Sequence, residues 1–173
     1  MTAEWSDSVV TLRPLRSENA VDHLAGEDDE IAKWLTGGRS TMGTVQAYIR
    51  SCEENWRSDG PRRAFGIFDC ATNRLIGSIE ANLALPLLEP TQANVSFGVF
   101  PAWRGNGIAL RALHLMGAYL KTVNGVRQMV LRISCQNAAS LRVGEKSGFQ
   151  YLGIFAEPEG RMVRYAFDLW KSE

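Results

Sequence analysis

Three consecutive segments between residues 63 and 100 carry apolar and polar residues in alternation, and they restrict the possible folds more than any other part of the chain. The segments read RAFGIFD, RLIGSIEANLAL and ANVSFGVF, and CATN separates the first two by the length of a hairpin turn. A period of two is typical of strands that have one face in a core. These segments are therefore predicted to be three neighbouring strands.

The flanking segments combine helical periodicity with further strands. The predicted elements are a strand in SVVTLRPLR that ends at Pro14, a helical segment from Glu18 to Trp34 broken near Gly26, helices from Thr44 to Trp56 and from Gly107 to Val123, a strand in RQMVLRISC, a short helix in NAASLRVGEKSGF closed by Gly148, and a hairpin of FQYLGIFAE and RMVRYAFDLW. Neighbouring strands with two embedded helix crossovers favour a mixed α/β (α+β) sheet with helices on its faces. Because residues 1–173 contain no repeat or linker, they are predicted to form one domain.

The charge balance and the absence of long apolar segments argue against several classes of partner. The 19 basic and 19 acidic residues give no net charge, so we expect neither nucleic acid nor a membrane as a partner. The chain has no apolar run of about 18 residues and no signal peptide, so we expect a cytoplasmic protein. Cys52, Cys70 and Cys135 are odd in number and widely spaced, so they are predicted to be small buried residues, with no disulfide framework and no metal.

A glycine-rich turn in PAWRGNGIALRAL, residues 101–113, follows the third central strand and opens a helix. The first N–H groups of a helix lack intrahelical partners and lie at its positive end, so such a turn is typical of an anion site. A Walker loop is excluded because the chain has no G-x-x-x-x-G-K-[ST] segment. A dinucleotide fingerprint is excluded because Leu110 stands where its third small residue is required.

Residues 104–109 fit the pattern [Q/R]-x-x-G-x-[G/A], which resembles the pyrophosphate loop of the GNAT superfamily of N-acetyltransferases. Further along the chain, NAASLRVGEKSGF is similar to the N-x-x-S-x-x-V-x-E-K-x-G-F segment of the RimJ/RimL-like branch. The two blocks stand in the order and spacing of that branch, and the flanking strands agree with it in character. The resemblance therefore covers nearly the whole chain.

This resemblance implies a mostly antiparallel sheet of about seven strands, splayed between the fourth and fifth, with acetyl-CoA inserted there as cosubstrate. The pantetheine arm of acetyl-CoA would pair with backbone groups of Phe97, Gly98 and Val99, and Asn137 would contact the same arm unless it merely caps the following helix. The pyrophosphate would lie on the backbone amides of the turn, namely those of Arg104, Gly105, Asn106, Gly107, Ile108 and Ala109.

The candidate catalytic residues are Glu80 and Ser140. The resemblance implies that Ser140 lies near the thioester sulfur, whereas other members carry a tyrosine at the position of Gly144. Without that phenol, help to the leaving thiolate falls to Ser140, whose alternative role is that of a helix-start serine bonded to a backbone amide. Alternation places Glu80 on the same strand face as Ser78 and Asn82, where it is either the base for an ammonium acceptor or a solvated carboxylate.

The sequence thus predicts acetyl transfer from acetyl-CoA to a primary amine by direct attack in a ternary complex. The acceptor is a protein or peptide N-terminus or a small molecule, and a homodimer is left open. The main alternative is an acyl-CoA sensor or interaction module without chemistry; a nucleotide-binding domain and a covalent route through Cys135 are weaker. His23 and His114 are expected in surface or packing roles, and Trp34 and Trp56 in the core or at the substrate entrance.

Overall fold

The computed structural model describes residues 4–171, and eight strands in this range form one sheet. The strands are β1 (Trp5–Ser6), β2 (Val10–Pro14), β3 (Arg62–Asp69), β4 (Leu75–Asn82), β5 (Gln92–Val99), β6 (Gln128–Ser134), β7 (Gln150–Glu157) and β8 (Gly160–Asp168). The helices are α1 (Ala20–Ala25), α2 (Asp29–Ile31), α3 (Met42–Arg57), α4 (Ile108–Leu120) and α5 (Ala138–Lys146), with a π-helical turn at Ala32–Thr36 and 3₁₀ turns at Ser17–Asn19 and Pro101–Trp103. The predicted mixed α/β fold and the predicted order of elements are confirmed.

The strand order in the sheet is β1-β2-β3-β4-β5-β6-β8-β7, and every neighbouring pair except β5 and β6 is antiparallel. The sheet has eight strands rather than about seven because β1, opposite Leu12 and Thr11, was not predicted. A strand of two residues is too short to show a hydrophobic period, so the sequence gives no sign of it.

The sheet opens between β5 and β6. These strands pair from Gln92 opposite Gln128 to Asn94 opposite Val130, and their pairing stops there. On the other side of β5, pairing with β4 continues to Val99. Since β5 and β6 are the fourth and fifth of the predicted strands, the predicted splay is confirmed.

Helices cover both faces of the sheet. Because side chains alternate along a strand, Phe65 and Ile67 join the large apolar cluster under α4, while Ala64 and Phe68 join a smaller cluster under α3. The buried stripe of α4 consists of Ile108, Ala112, Leu113, Met116, Gly117, Tyr119 and Leu120. The two faces of β4 and β5 therefore differ, with one packed against α4 and the other turned toward α1 and α3.

The N-terminal helical segment differs most from its prediction. It breaks at Gly26 as expected, but its second half is a short helix followed by the π-helical turn, which ends at Gly37 with a φ of 71°.

Cys52 is buried and Cys135 is half-buried, whereas Cys70 is exposed. The prediction of burial is wrong for Cys70 because this residue lies in the turn between β3 and β4. No helix within residues 4–171 is long and apolar enough to cross a membrane.

Candidate active site

The glycine-rich turn between β5 and α4 has the geometry of an anion site. Gly105 and Gly107 have φ values of 78° and 74°, in the left-handed region that favours glycine, and no atom lies within 4 Å of the place a Cβ would take at either residue. Gly107 is the N-cap of the 13-residue helix α4 and has no side chain to offer it. The N–H groups of Ile108 and Ala109 therefore lie at the positive end of α4 without an intrahelical acceptor.

The side chain of Arg104 is engaged within the protein. Its Nε donates to the carbonyl oxygen of Val99 over 2.8 Å, and its terminal nitrogens donate to the Asp28 carboxylate over 2.6 and 2.9 Å. The hydrogen bonds from Arg104 lower the pKa of Asp28 to about 2. Asp28 also caps α2 by accepting from the N–H of Ile31, and Asn106 donates to the carbonyl oxygen of Arg104. For an anion, Arg104 thus offers its backbone rather than its guanidinium.

Backbone groups of β5 point into the opening of the sheet. The N–H of Phe100 donates to the carbonyl of Ile76 over 2.8 Å, which fixes the hydrogen-bonding alternation along β5. Gly98 therefore directs its N–H and C=O toward β4, whereas Phe97 and Val99 direct theirs toward β6. Two of the three predicted backbone partners face the opening, and Gly98 does not.

A cavity of about 570 Å³ lies on the sheet face turned toward α1 and α3. The residues that give it its chemical character are His23, Tyr48, Arg62, Ser78, Glu80 and Ser96. Gly98 lets the π-helical turn approach this face, because a Cβ there would lie 2.6 Å from Cδ1 of Leu35. Phe97 also lines the cavity, so the cavity reaches the strand that borders the opening.

Glu80 is an ion-pair partner in the cavity wall. Its carboxylate accepts from Nε and Nη2 of Arg62 over 3.1 and 2.9 Å and from the hydroxyl of Tyr48 over 3.0 Å. Burial raises the pKa of Tyr48, and the Glu80 carboxylate acts in the same direction. The partner Arg62 was missed, although it follows from the hairpin register, in which Arg62 lies opposite Asn82 and Ala64 opposite Glu80. The role of Glu80 as base stays a prediction.

Asn137 and Ser140 lie together at the start of α5. The Oδ1 atom of Asn137 accepts from the N–H of Ser140 over 3.1 Å, so Asn137 caps the helix. The hydroxyl of Ser140 makes no hydrogen bond within residues 4–171, and the side chain is half-buried. Gly144 is buried one turn later, where a Cβ would lie 2.8 Å from Cε2 of Tyr165. The contacts of Asn137 and Ser140 with a cosubstrate stay predictions.

His23 lines the cavity, and the sequence did not predict this position. It lies in the last turn of α1, is buried and lines the cavity, with its ring 5.9 Å from that of Tyr48 and 6.5 Å from that of Phe100. The other histidine, His114, is exposed on α4. Helical spacing alone does not distinguish the two, because the cavity is formed by the packing of α1 and α3 on the sheet.

Of the two tryptophans of the N-terminal third, Trp56 packs against the core, whereas the role of Trp34 stays a prediction. Trp56 packs against Phe65, with ring centroids 5.0 Å apart, and its Nε1 donates to the carbonyl oxygen of Ala64 over 2.9 Å. Trp34 donates from Nε1 to Glu30 over 2.8 Å. Neither is among the residues that line the cavity.

A mixed sheet that opens beside a glycine-rich turn, with a cavity on the strand at the opening, is the architecture of the N-acetyltransferase class of folds. The sequence profile described as "Acetyltransferase (GNAT) domain" matches residues 10–150. The chain therefore belongs to the GNAT acetyltransferase family, as the sequence predicted. A comparison with curated protein sequences found no match.

Solved structures of low sequence identity share the fold. A GNAT-family acetyltransferase from Bacillus anthracis has a TM-score of 0.80 and 16% identity, with 98% of this chain and 100% of that chain covered. An aminoglycoside acetyltransferase in complex with coenzyme A has a TM-score of 0.78 and 19% identity, with 92% and 94% covered. The ribosomal L7/L12 α-N-protein acetyltransferase RimL in complex with coenzyme A has a TM-score of 0.82 and 14% identity, with 96% and 98% covered.

Proposed function

We propose that this protein transfers the acetyl group of acetyl-CoA to a primary amine by direct attack in a ternary complex. The observation that carries the proposal is the position of Phe97, which lines the cavity and stands in the opened part of β5. A donor held along β5 and an amine held in the cavity would meet at this residue. Such positioning contributes much of the catalysis in a direct transfer, and it requires no covalent enzyme intermediate.

The residues around the opening fit acetyl-CoA as the cosubstrate. The backbone of Phe97 and the N–H of Val99 are placed to pair with pantetheine amides, as an added strand would. The open space at Gly105 and Gly107 allows a pyrophosphate to approach the turn, whose N–H groups are suited to an anion. The coenzyme A bound to two solved structures of the same fold supports this assignment.

Each candidate catalytic group has a proposed role in the transfer from acetyl-CoA to the amine. A backbone N–H of the opened strand, at Phe97 or Val99, stabilises the oxyanion, while Ser140 donates a hydrogen bond to the leaving sulfur and Asn137 contacts the pantetheine. Glu80 is the carboxylate that the sequence indicates as base, and it lines the acceptor cavity. Its bonds to Arg62 and Tyr48 would have to rearrange before it took a proton.

The proposed acceptor is a primary amine, either a small molecule or a protein N-terminus. One neighbour is named for aminoglycosides and another for the N-terminal serine of ribosomal protein L7/L12, which supports both a small amine and a protein N-terminus. We also propose, from the sequence, that the protein is cytoplasmic and forms a single domain. The sequence leaves open whether it forms a homodimer.

Thermal unfolding with and without acetyl-CoA tests the cosubstrate, with ATP and NAD as controls. At about 100 times Kd, acetyl-CoA should add about 2.7 kcal/mol, which corresponds to about 5–10 °C in Tm for a chain of this size. Thiol release with a seryl peptide, an aminoglycoside and simple primary amines then tests transfer. A Tm shift without turnover would favour the acyl-CoA sensor. No shift with millimolar acetyl-CoA would overturn both the acetyltransferase and the sensor hypothesis.

A further inference from the structure

His23 is a titratable side chain in the cavity, and its Nδ1 atom has no partner in the part of the chain that the structure describes. It is only 9% exposed, and its Nδ1 atom is buried without a hydrogen bond among residues 4–171. The aromatic rings of Tyr48 and Phe100 pack beside it and leave the imidazole at the cavity. A buried polar atom without a partner costs free energy, so an imidazole that merely filled space would be poorly placed here.

Glu27 is a second group without a full set of partners, one helical turn after His23. Its Oε1 accepts from the backbone N–H of Ser40 over 2.7 Å, which anchors the carboxylate. Its Oε2 is buried and has no hydrogen bond within the same range of residues. The imidazole of His23 thus lines the cavity, while the carboxylate of Glu27 lies behind the wall and is bonded to Ser40, which lines it.

We propose that His23 is a catalytic residue of the acyl transfer, the base that takes a proton from the acceptor's ammonium group. This inference rests on the proposed function. The neutral imidazole accepts a proton from the ammonium, which frees the nitrogen lone pair for attack on the thioester carbonyl. A C–N bond forms as the C–S bond breaks, the second proton lost by the nitrogen goes to the departing thiolate, and the imidazolium releases its proton to solvent.

The charges around the cavity leave His23 as the group suited to this task near neutral pH. Besides His23, the charged and titratable groups that line the cavity or contact its wall include Glu27, Asp29, Arg39, Tyr48, Cys52, Arg62 and Glu80. Arg39 pairs with Asp29, and Arg62 pairs with Glu80. Burial lowers the pKa of His23 from its usual 6.5, while Glu27 acts in the opposite direction. The imidazole is thus neutral at pH 7 and able to accept a proton.

His23 is better prepared for proton transfer than Glu80. Glu80 would have to give up a hydrogen bond from Arg62 or Tyr48 before its oxygens could act. No hydrogen bond within residues 4–171 occupies Nδ1 of His23. In this arrangement the pair of Arg62 and Glu80 shapes the cavity wall.

The test compares His23→Gln with the matched control His114→Gln, since the chain has two histidines and His114 is exposed. Thiol release is measured from pH 5 to 8 with the amine that wild-type protein acetylates best among a seryl peptide, an aminoglycoside and n-butylamine. We expect kcat of the wild type to fall only at pH values below 6.5, because burial lowers the pKa of His23 and the imidazole becomes protonated there. His23→Gln should lower kcat at pH 7 by about 100-fold and remove this acid limb, whereas His114→Gln should match the wild type.

A second variant separates catalysis from folding. Glu27→Gln should move the acid limb of kcat to lower pH, because Glu27 raises the pKa of His23, and this readout remains if His23→Gln does not fold. The acetyl-CoA-induced Tm shift of folded variants should equal that of the wild type. Unchanged kcat in His23→Gln, or a flat wild-type profile, would overturn the inference alone. Wild-type protein that acetylates none of the three amines would overturn the proposed function, and the inference with it.

Discussion

Gly144 shows how one residue changes the surroundings of the candidate site. The resemblance to the family implies a tyrosine there in many members, but in this chain the ring of Tyr165 fills the adjacent space. A methyl group at residue 144 would lie 2.8 Å from Cε2 of that buried ring. The absent phenol is thus part of a different packing arrangement, in which β8 supplies the aromatic group.

Gly144→Ala should therefore destabilise the protein. Overpacking costs about 1–3 kcal/mol, which exceeds the gain of about 1 kcal/mol from alanine over glycine in a helix. The control is Gly43→Ala in α3, where the nearest atom to a new Cβ lies 3.7 Å away, and the free energy of unfolding should rise by about 0.5–1 kcal/mol. Urea unfolding measures both, and a Gly144→Ala protein as stable as wild type would contradict the packing explanation.

The ion pair between Asp28 and Arg104 can be tested separately. Asp28→Asn keeps an N-cap for α2 but removes the ion pair with Arg104. Because the side chain of Arg104 is 38% exposed, we expect a loss of less than about 1 kcal/mol in the free energy of unfolding. Acetyl-CoA affinity should not fall, since Arg104 offers its backbone to the ligand.

The pH dependence of this ion pair has a definite sign. The pKa of Asp28 in the folded protein is about 2, below its ordinary value of 3.8, because Arg104 donates hydrogen bonds to its carboxylate. Its stabilisation is therefore fully present above pH 4 and is lost as pH falls from about 4 to about 2. The stability difference between wild type and Asp28→Asn, followed by thermal unfolding, should shrink over that range. A constant difference would show that the pair does not contribute through its charge.

At the scale of elements, a buried ion cluster joins β6, β8 and the end of β7. Arg132 and Arg164 lie opposite each other in the register of β6 and β8, and the carboxylate of Glu157 bonds to both. The side chain of Glu157 is 1% exposed. Burial opposes its ionisation, but hydrogen bonds from both arginines leave its pKa below the usual value. The carboxylate thus separates two like charges that would otherwise face each other.

Glu157→Gln should lower the free energy of unfolding by about 3 kcal/mol, because it leaves two buried guanidinium groups without their counter-charge. Glu159→Gln is the matched control, since Glu159 also bonds to Arg132 but its side chain is 58% exposed, and it should cost less than about 1 kcal/mol. Chemical unfolding at pH 7 measures both. Equal effects of the two substitutions would contradict the importance of burial.

Local patterns in the sequence predicted most elements but not their long-range partners. The alternation in ANVSFGVF and the glycines at 105 and 107 identified β5 and the start of α4, because both signals depend on neighbouring residues. The ion pair of Arg104 was not predicted, because its partner Asp28 lies 76 residues away. The cavity that His23 lines was not predicted for the same reason, since it exists only when α1 packs on the sheet.

In the whole molecule, one irregularity of the sheet accounts for the placement of both proposed substrates. The parallel pair of β5 and β6 separates after Asn94, and the glycine-rich turn follows at the end of β5. The same strand borders the cavity at Ser96 and at Phe97, although the side chain of Phe97 packs against the large cluster on the other face. The cosubstrate and the amine are therefore expected to bind on two sides of one strand, so that a change in β5 should affect both binding steps.

Hydrogen exchange of backbone amides gives the sharpest test of this arrangement. With saturating acetyl-CoA, the amides of Phe97 and Val99 should exchange more slowly, because they face the opening and would pair with the ligand. The amide of Gly98 faces β4 and should already be protected without ligand, which makes it an internal control. Slowing at Phe97 and Val99 in excess of the global stabilisation, measured by NMR with residue resolution, is the expected result. Equal slowing of all three amides would indicate general stabilisation without strand-like pairing, and no slowing would place the cosubstrate elsewhere.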